Sequence, residues 1–427
     1  MSSSRTIVFF PEGAFGPTNN CVGIAEQLRA RGHRVVFIIE ESFKGTLAAR
    51  GFDEALMRLG PRPQEKEVPG QWWKDFIRDN APLFRKSTIE QLGEFIQPAW
   101  QGLLDGSRYV QPRLREIIDE VRPDVVVEDN VPCFPAVVTA GVPWVRIVSC
   151  NPLELKDPDL PPLFAGYAAA DRSGWDVFRD EYRRTHHEMW SDFNEWVQEQ
   201  GAPALEPLEF IHRSPHLNMY LYPQEVDYPR SQPLDATWQR LDSCVRGGDP
   251  AFELPDQLRD REGTLIYLAL GSLASADVQL MQRLVEVLGA LPHRFIVSKG
   301  PQHDQYELAD NMWGAEFLPQ PSILPMVDLV ITHGGNNTTA ECFHHGKPMI
   351  MLPVFWDQHD NAQRVHETGF GVRLDTYGFE AEQMRLAIDR LLADGGLHER
   401  MATIARRLQA NPGTVRAADL IERLPGG

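Results

Sequence analysis

The segment Val330–Arg373, VITHGGNNTTAECFHHGKPMIMLPVFWDQHDNAQRVHETGFGVR, decides how the rest of the chain is read. An apolar strand is expected at Leu329 to Thr332, running into a turn with Gly334 and Gly335. A helix follows whose first turn carries Asn337, Thr338 and Thr339. A second apolar strand, Pro348 to Leu352, ends at Pro353 ahead of the polar pair Asp357-Gln358. Strand, glycine turn, helix and strand make one βαβ unit. Its glycines let backbone approach a ligand, and a helix start offers unpaired N–H groups and the positive end of the helix dipole.

His333, Asn337 and Thr338 add side-chain donors at the same spot, which suits a phosphate or diphosphate. Glu341 lies one turn further along, where a carboxylate can accept from ribose hydroxyls. Asp357 and Gln358 follow the next strand, at the end where open α/β sheets bind ligands, and an acid beside an amide suits sugar hydroxyls. Taken singly, Gly334-Gly335 fits an ordinary strand-to-helix turn, and Asn337 and Thr338 fit ordinary caps. The ordered set points to diphosphate, ribose and hexose in one line.

The segment resembles the donor-binding signature of the family 1 glycosyltransferases, the UDP-glycosyltransferase superfamily. That pattern is His-x-Gly-x-Asn-Ser/Thr-x-x-Glu, then Gly-x-Pro, Asp-Gln and Asn-Ala. It is matched here by His333, Gly335, Asn337, Thr338, Glu341, Gly346, Pro348, Asp357, Gln358, Asn361 and Ala362. The resemblance to soluble bacterial-type members implies a GT-B fold, two Rossmann-like doubly wound parallel-sheet α/β domains facing a cleft.

Working outward, 427 residues exceed one ordinary core, so two domains are expected. A hydrophobic fraction of 42% with 24% charged residues is that of a soluble globular chain. The net charge of −18 argues against nucleic acid and anionic membrane as partners. The apolar run in MSSSRTIVFF is too short for a signal peptide, and no run reaches a membrane span. Animal members of the family carry a C-terminal anchor; none is expected in this chain, which ends IERLPGG. The five cysteines, Cys21, Cys133, Cys150, Cys244 and Cys342, lack metal-ligand spacing, so free thiols and a cytoplasmic location are expected.

Residues 1–240 form the expected first, acceptor-binding domain, 241–263 a linker, 264–409 the nucleotide-sugar domain. By the resemblance, 410–427 pack back on the first domain as a helix. In the first domain, Thr6 to Phe10 and Arg34 to Ile39 are expected strands around a helix from Asn20 to Arg31, with Thr18 or Asn19 as N-cap. Pro112 to Val121 is expected as a separate helix. PDVVVED supplies a central strand ending at Asp129. The aromatic stretch 64–101, with Trp72 and Trp73, suits either core packing or an apolar acceptor cleft. In the second domain, Thr264 to Leu270 leads to Gly271-Ser272, another glycine turn for a phosphate. The resemblance places a uracil on Leu318 and Gln320.

The family inverts the anomeric centre in one displacement and needs no metal. Asp157 and Asp159, in a proline-rich loop, are read as a turn and not as a Mg²⁺ site. Family members usually deprotonate the acceptor with a first-loop histidine oriented by an aspartate. Asp129 matches the aspartate, whereas Ala14 stands at the histidine's position; His33 is read as structural. Asp129 or Glu12 could take the proton directly, which suits a phenol. Otherwise Ala14 marks a His-to-Ala disabled transferase, or a catalytically inactive sugar-nucleotide-binding partner protein.

The expected activity is transfer of a hexose, with UDP-glucose the favoured donor, to a hydroxyl of an apolar small molecule such as a phenolic or polyketide-like natural product. Thymidine diphosphate donors and a GT-B sugar-nucleotide epimerase remain alternatives. The expected assembly is a monomer or homodimer.

Overall fold

The computed structural model describes residues 4–62, 75 and 78–425. Trp72 and Trp73, the aromatics expected near the acceptor, lie outside them. Two parallel sheets organise the described chain, the arrangement that the resemblance implies. The first has seven strands: β1 (Thr6–Pro11), β2 (Arg34–Glu40), β3 (Asp53–Met57), β4 (Val125–Asp129), β5 (Trp144–Val148), β6 (Leu217–Tyr220) and β7 (Trp238–Arg240). Their order is β3-β2-β1-β4-β5-β6-β7. The second has six: β8 (Leu265–Ala269), β9 (Arg294–Ser298), β10 (Met312–Ala315), β11 (Leu329–Thr332), β12 (Met349–Met351) and β13 (Gly371–Arg373), ordered β10-β9-β8-β11-β12-β13.

The central strands are buried on both faces, so they read as unbroken apolar runs: VVV in β4 is fully buried, as is LVI in β11. Strand order reverses between β1 and β4 in one sheet and between β8 and β11 in the other. Crevices open at the carboxyl ends of the strands at such switch points, because the two connections leave to opposite faces. Both expected ligand segments, 12–14 and 333–338, follow strands at these two points.

Helix α1 spans Phe15–Ala30, five residues earlier than expected, with Ala14 as its N-cap. Pro17 falls within its first turn, where the N–H groups have no intrahelical acceptor, so proline forfeits nothing there. Thr18 is therefore inside the helix, its hydroxyl donating to the Glu12 carbonyl at 3.4 Å. Pro112 likewise does not start a helix but lies within α2 (Gln97–Val121). An internal proline costs about 3 kcal/mol. Burial of Leu103, Leu104, Val110, Leu114, Ile117 and Ile118 along one face more than offsets that, at about 1.5–3 kcal/mol per large apolar side chain.

The first half also contains α3 (Trp175–Glu199). In the second half come α4 (Val278–Gly289), α5 (Asn336–His344), α6 (Gln358–Glu367), α7 (Ala381–Ala393) and α8 (Gly395–Ala410). The last helix, α9 (Gly413–Glu422), packs on α1: Ala417, Ala418 and Ile421 are fully buried in the first sheet's core with Ile24 and Leu28. His33 belongs to this junction, its Nε2 lying 2.8 Å from Glu422 and its Nδ1 accepting from the Arg5 N–H at 3.2 Å. The chain thus crosses between the halves twice. The crossings are adjacent: a Cβ on Gly413 would lie 2.3 Å from the Leu241 carbonyl oxygen and 2.2 Å from that of Ser243. All five cysteines are unpaired. Among the described residues no helix is long and apolar enough to cross a membrane.

Candidate functional site

A cleft of about 570 Å³ lies between the two sheets, walled by the loops after β1 and β5 on one side and after β8 and β11 on the other. Gly271, Ser272, Leu318, Gln320, His333, Gly335, Asn337, Thr338, Glu341, Asp357 and Gln358 all line it, as do Glu12 and Ala14 from the opposite wall. Of the candidate catalytic and donor-binding residues, all but Asp129 are therefore brought together along this cleft.

On the second-domain wall, Gly334 takes φ +86, a left-handed turn open to glycine at no steric cost, and delivers the chain to the start of α5. The His333 imidazole is clamped between two glycines. A Cβ on Gly271 (φ +71) would stand 2.8 Å from the ring and one on Gly335 2.5 Å from its Nε2. Burial pushes His333 down to about 4, against a backbone hydrogen bond at Ala269, so it is neutral at neutral pH. It can serve as a hydrogen-bonding group beside the α5 start without adding charge.

Glu341 is buried and heavily partnered. It accepts from Gln320 Nε2 at 2.5 Å and from Asn337 Nδ2 at 3.1 Å, and pairs with Arg246 at 3.4 Å. Burial pushes its carboxyl up, against the pull of Arg246, Gln320 and Asn337. Gln320 also donates to the Thr338 hydroxyl at 3.3 Å. Four residues expected around one nucleotide thus already form a single hydrogen-bonded group. Arg246 is the member that sequence reading missed. It sits in the irregular stretch before β8, bridges Glu341 and Asp249 (2.8 Å to the latter) and lines the cleft. Its only sequence signal is an Arg–Asp pair three apart flanking Gly247-Gly248. Phe317, half exposed at the mouth with its ring 5.9 Å from that of Phe15, was also missed; an aromatic side chain there suits a planar base.

Asp357 precedes α6 and accepts from the Asn151 N–H at 2.7 Å and Asn361 Nδ2 at 3.3 Å; burial pushes it up to about 7. The Gln358 side-chain oxygen accepts from the Val354 and Phe355 N–H groups at 3.0 and 3.3 Å, fixing the loop that carries both residues. Trp356 in that loop is left-handed (φ +58), a costly state for a bulky residue. Its ring is held by Phe164 at 4.7 Å and Trp100 at 5.6 Å, both from the first domain. Helix α6 is a shared element: Asp360 accepts from the Phe164 and Gly166 N–H groups at 2.7 and 2.8 Å.

On the first-domain wall, Pro11 pairs with Asp129 across the β1–β4 ladder, and the Glu12 N–H donates to the Asp129 carbonyl at 2.9 Å. Asp129 is buried behind the wall at 3% exposure, and Ser149, which does line the cleft, donates to its Oδ1 at 2.8 Å. Burial pushes the carboxyl up to about 8; the Ser149 hydrogen bond pulls it down and the Glu12 and Glu154 carboxylates raise it. Asp157 closes a turn by accepting from the Asp159 N–H at 2.8 Å, and Asp159 pairs with Arg172 at 2.9 Å. Among the described residues no group of three or more His, Cys, Asp or Glu side chains is arranged to hold a metal ion.

Residues 282–424 match the family model described as erythromycin biosynthesis protein CIII-like, C-terminal domain. Over nearly its whole length the chain is similar to curated transferases. These include demethyllactenocin mycarosyltransferase of Streptomyces fradiae (25% identity, 98% of this chain, 86% of the relative). Oleandomycin glycosyltransferase of Streptomyces antibioticus is 26% identical over 97% of this chain and 90% of the relative. Zeaxanthin glucosyltransferase of Pantoea ananas is 23% identical over 94% and 91%. Among solved structures, the glycotransferase of kitacinnamycin superimposes with a TM-score of 0.72 at 22% identity, covering 100% of both chains. Spinosyn rhamnosyltransferase complexed with thymidine diphosphate gives 0.63 at 20% identity, over 98% of this chain and 100% of that one.

Proposed function

We propose that this chain, a bacterial family 1 glycosyltransferase of GT-B fold, moves a hexose from a nucleoside diphosphate donor, UDP-glucose first, to a hydroxyl of an apolar natural product. The observation that carries the donor class is Glu341, a buried carboxylate one turn inside a helix whose start opens on the cleft. Its oxygens suit vicinal ribose hydroxyls, while the α5 start, His333, Asn337 and Thr338 suit the diphosphate. Asp357 and Gln358 suit a hexose that keeps its hydroxyls, since a deoxysugar leaves polar groups at the site unpaired. The mycarosyl relative and the thymidine diphosphate seen in the rhamnosyltransferase make thymidine diphosphate sugars the donors to test beside it.

The acceptor oxygen attacks C1 as the C1–O bond to the diphosphate breaks, inverting the centre, and the developing charge falls on the donors at the α5 start without a metal. Either Glu12, which lines the cleft, or Asp129, reached through the wall, is the final base for the acceptor proton. Their relation to Ala14 keeps a second reading in view, a chain that binds the donor without turnover.

The deciding measurement is release of UDP or TDP from UDP-glucose and TDP-glucose with and without pooled phenolic and alcoholic aglycones, alongside Ala14→His. Acceptor-dependent release by the unaltered chain is the expected result. Rescue only by Ala14→His would identify a disabled transferase. Silence from both with donor binding intact would leave the binding protein.

A further inference from the structure

Asp129 matches the family's aspartate yet stands behind the cleft wall, and the residue between it and the cleft is Ser149. The Ser149 hydroxyl donates to Asp129 Oδ1 at 2.8 Å, while Asp129 Oδ2 is buried with no hydrogen-bond partner among the described residues. A carboxylate held away from water with one oxygen unpaired is costly in its charged form, so the group as a whole is disposed to take up a proton. The serine is also fixed against the other domain: its carbonyl accepts from Asn336 Nδ2 at 2.9 Å, and Asn336 opens α5 next to Asn337. The hydroxyl therefore has a fixed relation both to the buried carboxylate and to the helix start expected to hold the leaving group.

We propose that Ser149 is the proton carrier of this active site, receiving the acceptor's hydroxyl proton on Oγ as it passes its own to Asp129. The inference rests on the transferase reading and assigns a residue to its proton transfer. The acceptor O–H bond breaks and its proton forms a bond to Ser149 Oγ. The former Oγ–H proton moves to Asp129 Oδ1, and the freed acceptor electron pair bonds to C1. The diphosphate leaves with the C1–O electron pair, so the negative charge lost at Asp129 appears on the leaving group. Asp129 later returns its proton by the same path. A histidine at position 14 is unnecessary in such a site, because the serine carries the proton that an imidazole would otherwise take. Glu12, which also lines the cleft, is the competing base.

The test uses the full chain with UDP-glucose and TDP-glucose and a series of acceptors from 4-nitrophenol through phenol to an aliphatic alcohol. Ser149→Ala should lower kcat by about 10²–10⁴-fold, the span of a lost general-base step, with donor KM changed less than about threefold. The loss should be smallest for 4-nitrophenol, whose proton needs least help, a dependence that a purely structural role would not produce. Asp129→Asn should match it, the double variant should add little, and Ser149→Thr should restore most of the rate. Full kcat in Ser149→Ala, or collapse in Glu12→Gln with Ser149→Ala intact, overturns the relay. If the unaltered chain binds donor but transfers to no acceptor, the transferase reading falls and the relay falls with it.

Discussion

The backbone N–H of Asn151 donates to the carboxylate of Asp357 at 2.7 Å, so the residue expected to grip the donor sugar is at the same time a fastening between the two domains. The Asn151 side chain extends the fastening, donating to Asn361 at 2.8 Å and to the Tyr222 hydroxyl at 3.2 Å and accepting from the Leu153 N–H at 2.9 Å. Asn151 is fully buried. Closure of the domains and shaping of the sugar subsite are therefore one event.

Asn151→Ala should lower stability by about 2–3 kcal/mol, because buried partners lose bonds that water cannot replace. Chemical denaturation checks this, and a rise in donor KM should accompany it as Asp357 loses its register. Unchanged stability would mean the seam relaxes around the gap.

Glu341→Gln removes the charged acceptor facing the cleft. Hydrogen bonds to a charged group are worth about 1.5–3 kcal/mol, so KM for a UDP donor should rise about 10–100-fold. For a TDP donor, with one ribose hydroxyl fewer, the rise should be smaller. Equal rises for both donors would take Glu341 off the ribose.

A carboxyl held up at about 8 acts as a base only once deprotonated, so kcat/KM should climb with pH through about 8 and fall away below it. Asp129→Asn should flatten that limb. The stability sign runs the other way. The folded value lies above the unfolded one near 3.8, so this group's contribution is fully present below about pH 4 and is lost as pH rises through about 8. Urea titrations of both chains at pH 5 and pH 9 should show Asp129→Asn gaining relative stability at the higher pH.

Gly271→Ala should weaken donor binding more than folding. The left-handed backbone costs about 1–2 kcal/mol with a side chain, and the new methyl would drive the His333 ring out of its clamp. Thermal unfolding and donor KM separate the two effects; a melting shift alone would remove His333 from the donor site.

The central strands and the donor signature were legible because each rests on local chemistry: doubly buried strands are plain apolar runs, and the signature residues lie on one strand-turn-helix segment. Edge strands β3, β7 and β13 were not, since their residues are short, polar-mixed runs such as DEALM and WQR that a sequence pattern does not separate from loop. The start of α1 was misplaced because Thr18 and Asn19 are cap-forming residue types, whereas the observed N-cap, Ala14, has no side chain that could mark it. Ser149 and Arg246 were invisible for a different reason. Each is an ordinary polar residue in irregular chain, and its importance comes from partners 20 and 95 positions away. The grip of the first domain on α6 is of the same kind, carried by backbone donors such as Phe164 and Gly166 that no pattern marks.

The side-by-side crossings at Gly413 and at Leu241–Ser243 act as the spine of a book. Two neighbouring tethers leave one axis of easy rotation and suppress twisting or sliding of one cover over the other. Opening should therefore widen the far edge of the cleft most and the spine least. A pair of fluorescent labels across the far edge should change separation when UDP is added, and a pair flanking Gly413 and Ser243 should not. Motion at the spine would mean that the halves come apart as separate bodies, and that each catalytic cycle must find its alignment anew.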